Sequence, residues 1–201
     1  MKLKKILLAC CVFLLIDGCG PRVSIRKDYD FSRIKRVAVA DFVDNLSFLF
    51  QAEAVAGNAV ADEFVLQLVG LNMNVVERFR LQTIMDEQNL GTSGRIDPET
   101  AKRIGKLVGA DAILTGTVTQ YTPDRKDVMY VDDGYGGRRQ EIYLVDAEVG
   151  VSARMFDVET GEIVWAGFYR YNSFYVDSAI AGVVSGLMNS LRKVLPQTAK
   201  Y

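Results

Sequence analysis

Apolar residues along the chain come first in short β-branched runs and then at helical spacing, and this alternation predicts an α/β fold. Ile34 to Phe42 has the composition of a buried strand, and Asp44-Asn45 ends it. From Gln51 to Val69, Ala56, Val60, Phe64 and Leu68 recur on one side, flanked by Ala61 and Val65. Asn58, Asp62 and Glu63 occupy the wet side of this predicted helix. Met73 to Glu77 reads as a second strand, followed by a short helix through Leu81, Ile84 and Met85.

Asp97-Pro98-Glu99 joins a capping carboxylate, a proline suited to the first helical position and an acid at the positive end of the dipole. The helix it opens carries Ala101, Ile104, Leu107 and Val108 as its buried stripe and stops at Gly109, before a central strand from Asp111 to Val118. Tyr143 to Phe156 alternates as one half-wet strand, with Tyr143, Val145, Ala147, Val149, Val151 and Ala153 on one side. Asp157 to Gly161 reads as a hairpin turn with Gly161 left-handed, returning through Glu162 to Tyr171. A final helix takes Asp177 as its cap and buries Ile180, Val183, Val184, Leu187, Met188, Leu191 and Leu195, with Pro196 beyond. The expected architecture is an α/β sandwich, a mixed sheet of four to five strands with helices packed on it.

The first 16 residues differ in kind. Met1-Lys2-Leu3-Lys4-Lys5 precedes an apolar run from Ile6 to Ile16, a basic segment followed by a hydrophobic one, as in a secretory signal. Eleven residues span about 17 Å as a helix, short of the ~30 Å hydrocarbon core. Leu15-Ile16-Asp17-Gly18-Cys19 resembles a bacterial lipobox, with Asp17 at the minus-two position, which implies diacylglycerol on Cys19 and acyl chains of the palmitate kind as a membrane anchor. Gly20 follows the cysteine, where an Asp would imply retention at the inner membrane, so the expected location is the outer membrane, facing the periplasm. The expected division is a signal peptide over 1–18, a lipid-anchored tether over 19–32 and one periplasmic domain over 33–201.

Composition then removes chemistry. The 201 residues include no histidine, which excludes Ser-His-Asp and Cys-His nucleophile pairs and His-ligated zinc. The three cysteines, Cys10, Cys11 and Cys19, all lie in the leading segment, so the folded body offers neither a disulfide nor a thiolate site. A formal net charge of -1 gives no basic footprint for nucleic acid. Cleavage before Cys19 removes three of the 24 cations and one of the 25 anions, leaving 21 against 24.

Asp132-Asp133-Gly134 lacks the alternating spacing and closing Glu of an EF-type calcium loop and reads as a solvated hairpin tip. Gly91-Thr92-Ser93-Gly94 lacks the Lys-Ser/Thr of a phosphate loop and reads as a turn. Neither Asp86-Glu87 nor Glu77-Arg78 identifies a second catalytic partner. No catalytic residue, metal, cofactor or small-molecule substrate is expected. The remaining signal is aromatic: Trp165, Phe168, Tyr169, Tyr171, Phe174 and Tyr175 lie on one strand and its exit, divided between core packing and a candidate partner surface.

The run Val75 to Gln88, followed by Ala101, Gly105 and Gly109-Ala110-Asp111-Ala112-Ile113-Leu114-Thr115-Gly116, resembles the curli-secretion outer-membrane lipoprotein family, of the CsgG and HfaB type. The lipobox-like signal, the strand near Val37, Thr160-Gly161-Glu162-Ile163 and the terminal helix extend the resemblance over most of the chain. It implies an outer-membrane lipoprotein with an α/β periplasmic domain; the type member forms a ring whose subunits each donate two β-hairpins to a secretion barrel. The fold is also similar to that of lipoprotein activators of peptidoglycan synthases.

The chain departs from the pore pattern. Thr122 to Glu141 leaves only Val128 to Val131 compatible with lipid, and the residues between Tyr171 and Asp177 have no room for a second hairpin. The expectation is a non-enzymatic assembly or secretion component acting through self-association, as a homo-oligomer, or through an envelope protein partner. One alternative is a channel subunit, with Asp132, Asp133, Arg138 and Arg139 lining the lumen. Another is a synthase activator, for which a tether of about 45 Å at full extension is short.

Overall fold

A computed structural model describes residues 20–44, 55–76, 81, 83, 97–132, 134–135 and 137–196. In chain order the elements are β1 (Arg22–Ile25), β2 (Arg36–Asp44), α1 (Val55–Gly70), β3 (Asn74–Val76), α2 (Pro98–Val108), β4 (Ala112–Thr122), β5 (Arg125–Asp132), β6 (Arg138–Val145), β7 (Ala147–Asp157), β8 (Ile163–Ser173) and α3 (Val176–Leu191), with a 3-10 turn at Phe31–Arg33. Six strands form one mixed sheet in the order β1-β8-β7-β4-β2-β3, and β5-β6 is a separate two-stranded hairpin. β2 runs parallel to β3 and β4, whereas β4-β7, β7-β8 and β8-β1 are antiparallel.

The two sheet faces are covered unequally. α1 and α3 lie on one face, where Val37, Val39, Val60, Phe64, Leu68, Leu114, Val151, Met155, Trp165 and Leu187 enclose the larger core. The Phe42 and Phe64 rings stack there at 5.2 Å between centroids. α2 lies on the opposite face over a smaller core of Ala38, Ala40, Val76, Ile113, Phe156 and Val158. Its N-terminus follows the sequence signal: the Asp97 carboxylate accepts from the amides of Glu99 and Thr100 at 3.0 Å, and Gly109 closes the helix at φ 68°.

Four local expectations change, and a fifth falls outside the described residues. The sheet has six strands because Arg22–Ile25, assigned to the tether, pairs with β8 as an edge strand; Val23 and Ile25 pack on the larger core while Arg22 and Ser24 face outward. Four alternating residues are too short a pattern to read alone, and their partner lies more than 130 positions away. The strand expected over Tyr143–Phe156 is broken at Asp146, so Tyr143 and Val145 belong to the hairpin rather than to the sheet. In α2, Leu107 is 49% exposed and Gly105 takes the buried position, because Val158 comes too close for any side chain. Asp177 stands in the first turn of α3 and does not cap it; the Val176 amide donates instead to Asp124 Oδ1 at 2.9 Å, from the β4-β5 connection. Ile84 and Met85 of the expected short helix lie outside the described residues, while Leu81 is helical and buried.

Candidate assembly surface

Cys19, the expected lipid attachment point, lies outside the described residues. The six aromatic residues do not form one surface. Trp165 is fully buried in the core, where its indole N–H donates to Ser190 Oγ at 2.9 Å. Tyr169 and Tyr171 share its face of β8 and lie against α3 at Gly186 and Gly182, where an added Cβ would come within 2.5 Å of the rings. These glycines let the helix approach the sheet. Phe168 points to the other face, beneath the Arg22 guanidinium at 4.9 Å. Only Phe174 and Tyr175, 71% and 66% exposed in the β8-α3 connection, are mainly solvent-facing.

A larger exposed apolar surface is the β5-β6 hairpin. Its register places Lys126 opposite Leu144, Val128 opposite Ile142, Tyr130 opposite Gln140 and Asp132 opposite Arg138. Directly opposed residues share a face, so Val128, Tyr130, Ile142 and Leu144 form one apolar patch, and all four are exposed. The other face mixes Met129, Val131, Tyr143 and Val145 with an Arg139–Glu141 pair at 2.7 Å and an Arg125–Asp127 pair at 3.0 Å, so both faces carry apolar residues. The apolar band runs from the Lys126 level to the Tyr130 level, about 14 Å at ~3.4 Å per residue. At the tip, Asp132 Oδ1 accepts from the Gly134 amide at 2.8 Å, with Gly134 at φ 79°, so this acidic residue shapes a turn. Sequence reasoning missed Ile142 and Leu144 because it ended the hairpin segment at Glu141 and ran the next strand from Tyr143 through Asp146 into β7; the contiguous apolar run from Ile142 to Val145, matching Val128 to Val131, carries the signal.

The chain path gathers these features at one end of the sheet. Thr122 of β4 lies opposite Glu148, and Ala147 of β7 opposite Ser173 of β8, so the hairpin and the Phe174-Tyr175 segment leave from the same edge. β1 runs antiparallel to β8, with Arg22 opposite Phe168 and Ile25 opposite Trp165, so its N-terminus also points to that end. Three residue steps separate Arg22 from Cys19, at most ~11 Å of chain.

A second concavity, of about 290 Å³, is lined by Tyr29, Arg33, Lys106, Asp111, Asp157 and Glu159. Most of its charges already have partners. Asp157 accepts from the Tyr29 hydroxyl and from the Thr160 amide, Arg33 pairs with Glu159, and Asp111 Oδ2 accepts from the amides of Lys35 and Arg36 at 2.8 Å. Burial alone would raise the Asp157 carboxyl, but the bonds from Tyr29 and Thr160 hold it below its ordinary value. Burial, and next the bond to Asp157, push the Tyr29 hydroxyl well above its own. This arrangement ties the 3-10 turn to the β7-β8 turn. Among the described residues no group of three or more acidic or sulfur ligands gathers as for a metal, and no helix is long and apolar enough to cross a membrane.

A family model for the curli production assembly/transport component CsgG matches residues 24–190. Among solved structures, a point variant of the PelC dodecamer from Paraburkholderia phytofirmans is similar at a TM-score of 0.51 and 16% identity, over 86% of this chain and 97% of that one. Lipoprotein GNA1162 from Neisseria meningitidis gives a TM-score of 0.48 at 16% identity, over 79% of this chain and 98% of that one. The LpoB C-terminal domain from Salmonella enterica gives 0.44 at 16%, over 74% and 88%. At these identities the likeness is one of fold. No curated protein matches the sequence. The family match begins within β1 and ends in the last turn of α3, taking in every strand that builds the sheet, and the chain therefore belongs to the CsgG family.

Proposed function

We propose that this chain is a non-enzymatic outer-membrane lipoprotein, anchored through Cys19 and facing the periplasm, that acts in curli-type assembly or secretion by self-association. The observation that carries this reading is the shared end of the sheet. The N-terminus of β1, the β5-β6 hairpin with its exposed apolar residues and the exposed Phe174 and Tyr175 all point there. With only Gly20 and Pro21 between Cys19 and β1, an acylated cysteine holds the domain close against the bilayer and brings the hairpin to the lipid surface. The same short connection disfavours a synthase activator, which must reach away from the membrane. The dodecameric state of PelC supports an oligomer.

The channel reading gains from the hairpin's exposed apolar residues. It loses on height, since a barrel wall needs an apolar band of about 25 Å and this one spans about 14 Å before Asp132 and Arg138 interrupt it. The test uses full-length protein extracted in detergent. Intact mass should show diacylglyceryl modification at Cys19, and light scattering should show a multimer. Ile142→Asp with Leu144→Asp should leave the melting temperature unchanged and weaken liposome binding. An unmodified terminus or a monodisperse monomer refutes the proposal, and large stable conductance in planar bilayers selects the channel instead.

A further inference from the structure

The half of the sheet that α2 leaves uncovered has the shape of a helix-binding trough. α2 packs over β2, β3, β4 and the end of β7, so the outer face of β7-β8-β1 carries no helix among the described residues. Its cross-strand rows are Arg22-Phe168-Ser152 and Ser24-Ala166-Arg154. Ser24, Ser152 and Ala166 make the low floor of a shallow depression of about 350 Å³, with Phe168, Arg22 and Arg154 standing above it. Neither Arg22 nor Arg154 has a carboxylate partner among the described residues. Three strands at ~4.8 Å spacing give a trough about 10 Å wide, the diameter of a helix with its side chains.

α1 presents the complementary surface. Leu66 and Val69 are 65% and 54% exposed, one turn apart, and Asp62 lies one turn before Leu66. Its 16 residues include Asp62 and Glu63 but no Lys or Arg. We propose that the Asp62-Leu66-Val69 stripe of α1 in one copy docks into the β7-β8-β1 trough of the next, an inference that rests on the self-association reading. Leu66 and Val69 cover the small-residue floor and Phe168, while the acidic residues approach Arg22 and Arg154. α1 packs on the face of the sheet opposite to the trough, so the contact is heterologous. Copies then add head to tail, closing into a ring or continuing as a filament, and a two-fold dimer is excluded.

Cysteine pairing tests this directly, because the chain's own cysteines end at Cys19 and wild type supplies the background. Full-length L66C/S152C, oxidised in detergent, should give a ladder of covalent multimers. A mixture of the two single variants should give dimers only, and each single variant alone should match wild type. Arg154→Glu should raise the concentration for half-assembly at least tenfold with an unchanged melting temperature. Multimers by light scattering with no ladder, or with unperturbed R154E assembly, overturn this interface while self-association stands. Dimers from L66C alone overturn the head-to-tail arrangement. Monomeric wild type overturns both the interface and the reading beneath it.

Discussion

Replacing Gly105 by alanine sets two effects of known size against each other. In the middle of α2, alanine should stabilise by about 1 kcal/mol through lower backbone entropy in the unfolded chain. A Cβ at Gly105, however, would lie 2.2 Å from Val158 Cγ2, 2.8 Å from Cγ1 and 3.0 Å from Cβ. Val158 cannot swing away: it is β-branched, 5% exposed, and its amide donates to the Asp111 carbonyl at 2.9 Å. The helix must lift instead, and overpacking of this kind costs about 1–3 kcal/mol. The net expectation is destabilisation by about 0–2 kcal/mol, a fall in Tm of up to about 8 °C for a chain of this size. Val158→Ala should itself cost about 1–3 kcal/mol as a cavity, but combined with Gly105→Ala it opens the space that the new methyl needs. Denaturant unfolding of the four proteins in a double-mutant cycle should therefore show favourable coupling of at least about 1 kcal/mol. Gly70→Ala, with nothing within 4 Å of its added carbon, is the control and should be neutral or stabilising. A Gly105→Ala variant more stable than wild type by the full ~1 kcal/mol, or strict additivity with Val158→Ala, would refute the close contact of α2 with the β7-β8 turn.

Ser190→Ala strands the Trp165 indole N–H in the core and should cost about 1–3 kcal/mol; the chain's single tryptophan reports unfolding by fluorescence, and an unchanged midpoint would count against the bond. Asp124→Ala removes the acceptor for the Val176 amide and should cost about 0.5–2 kcal/mol, with amide exchange rising first in the opening turn of α3. Stability should fall at both pH extremes. Asp157 is ionised more readily folded than unfolded, so its contribution is complete above the unfolded value near ~4 and is lost as pH falls through the folded one. Tyr29 keeps its proton more tightly when folded, so its contribution is complete below ~10 and is lost as pH rises beyond that. Tyr29→Phe should flatten the alkaline fall in a pH series of denaturation midpoints.

Local order fixed much of this fold. The cap at Asp97, the left-handed Gly109 and Gly161, the stripe Ala56-Val60-Phe64-Leu68 and the strand at Asp111 to Val118 depend on residues close in sequence, and their patterns sufficed to place them. Absent histidine and a cysteine-free body likewise removed whole classes of chemistry before any geometry was known. What depended on distant contacts could not be read in this way. Val23 and Ile25 become a strand only because β8 offers its edge; Leu107 is turned outward because Val158 occupies the space beside Gly105; α3 is capped by Asp124, 52 positions earlier. Periodicity likewise could not tell that the chain leaves the sheet at Asp146, since alternation is the same in a paired sheet and in a free hairpin. Where a strand stops belonging to the core is set by which partners reach it, and only the packed structure decides that.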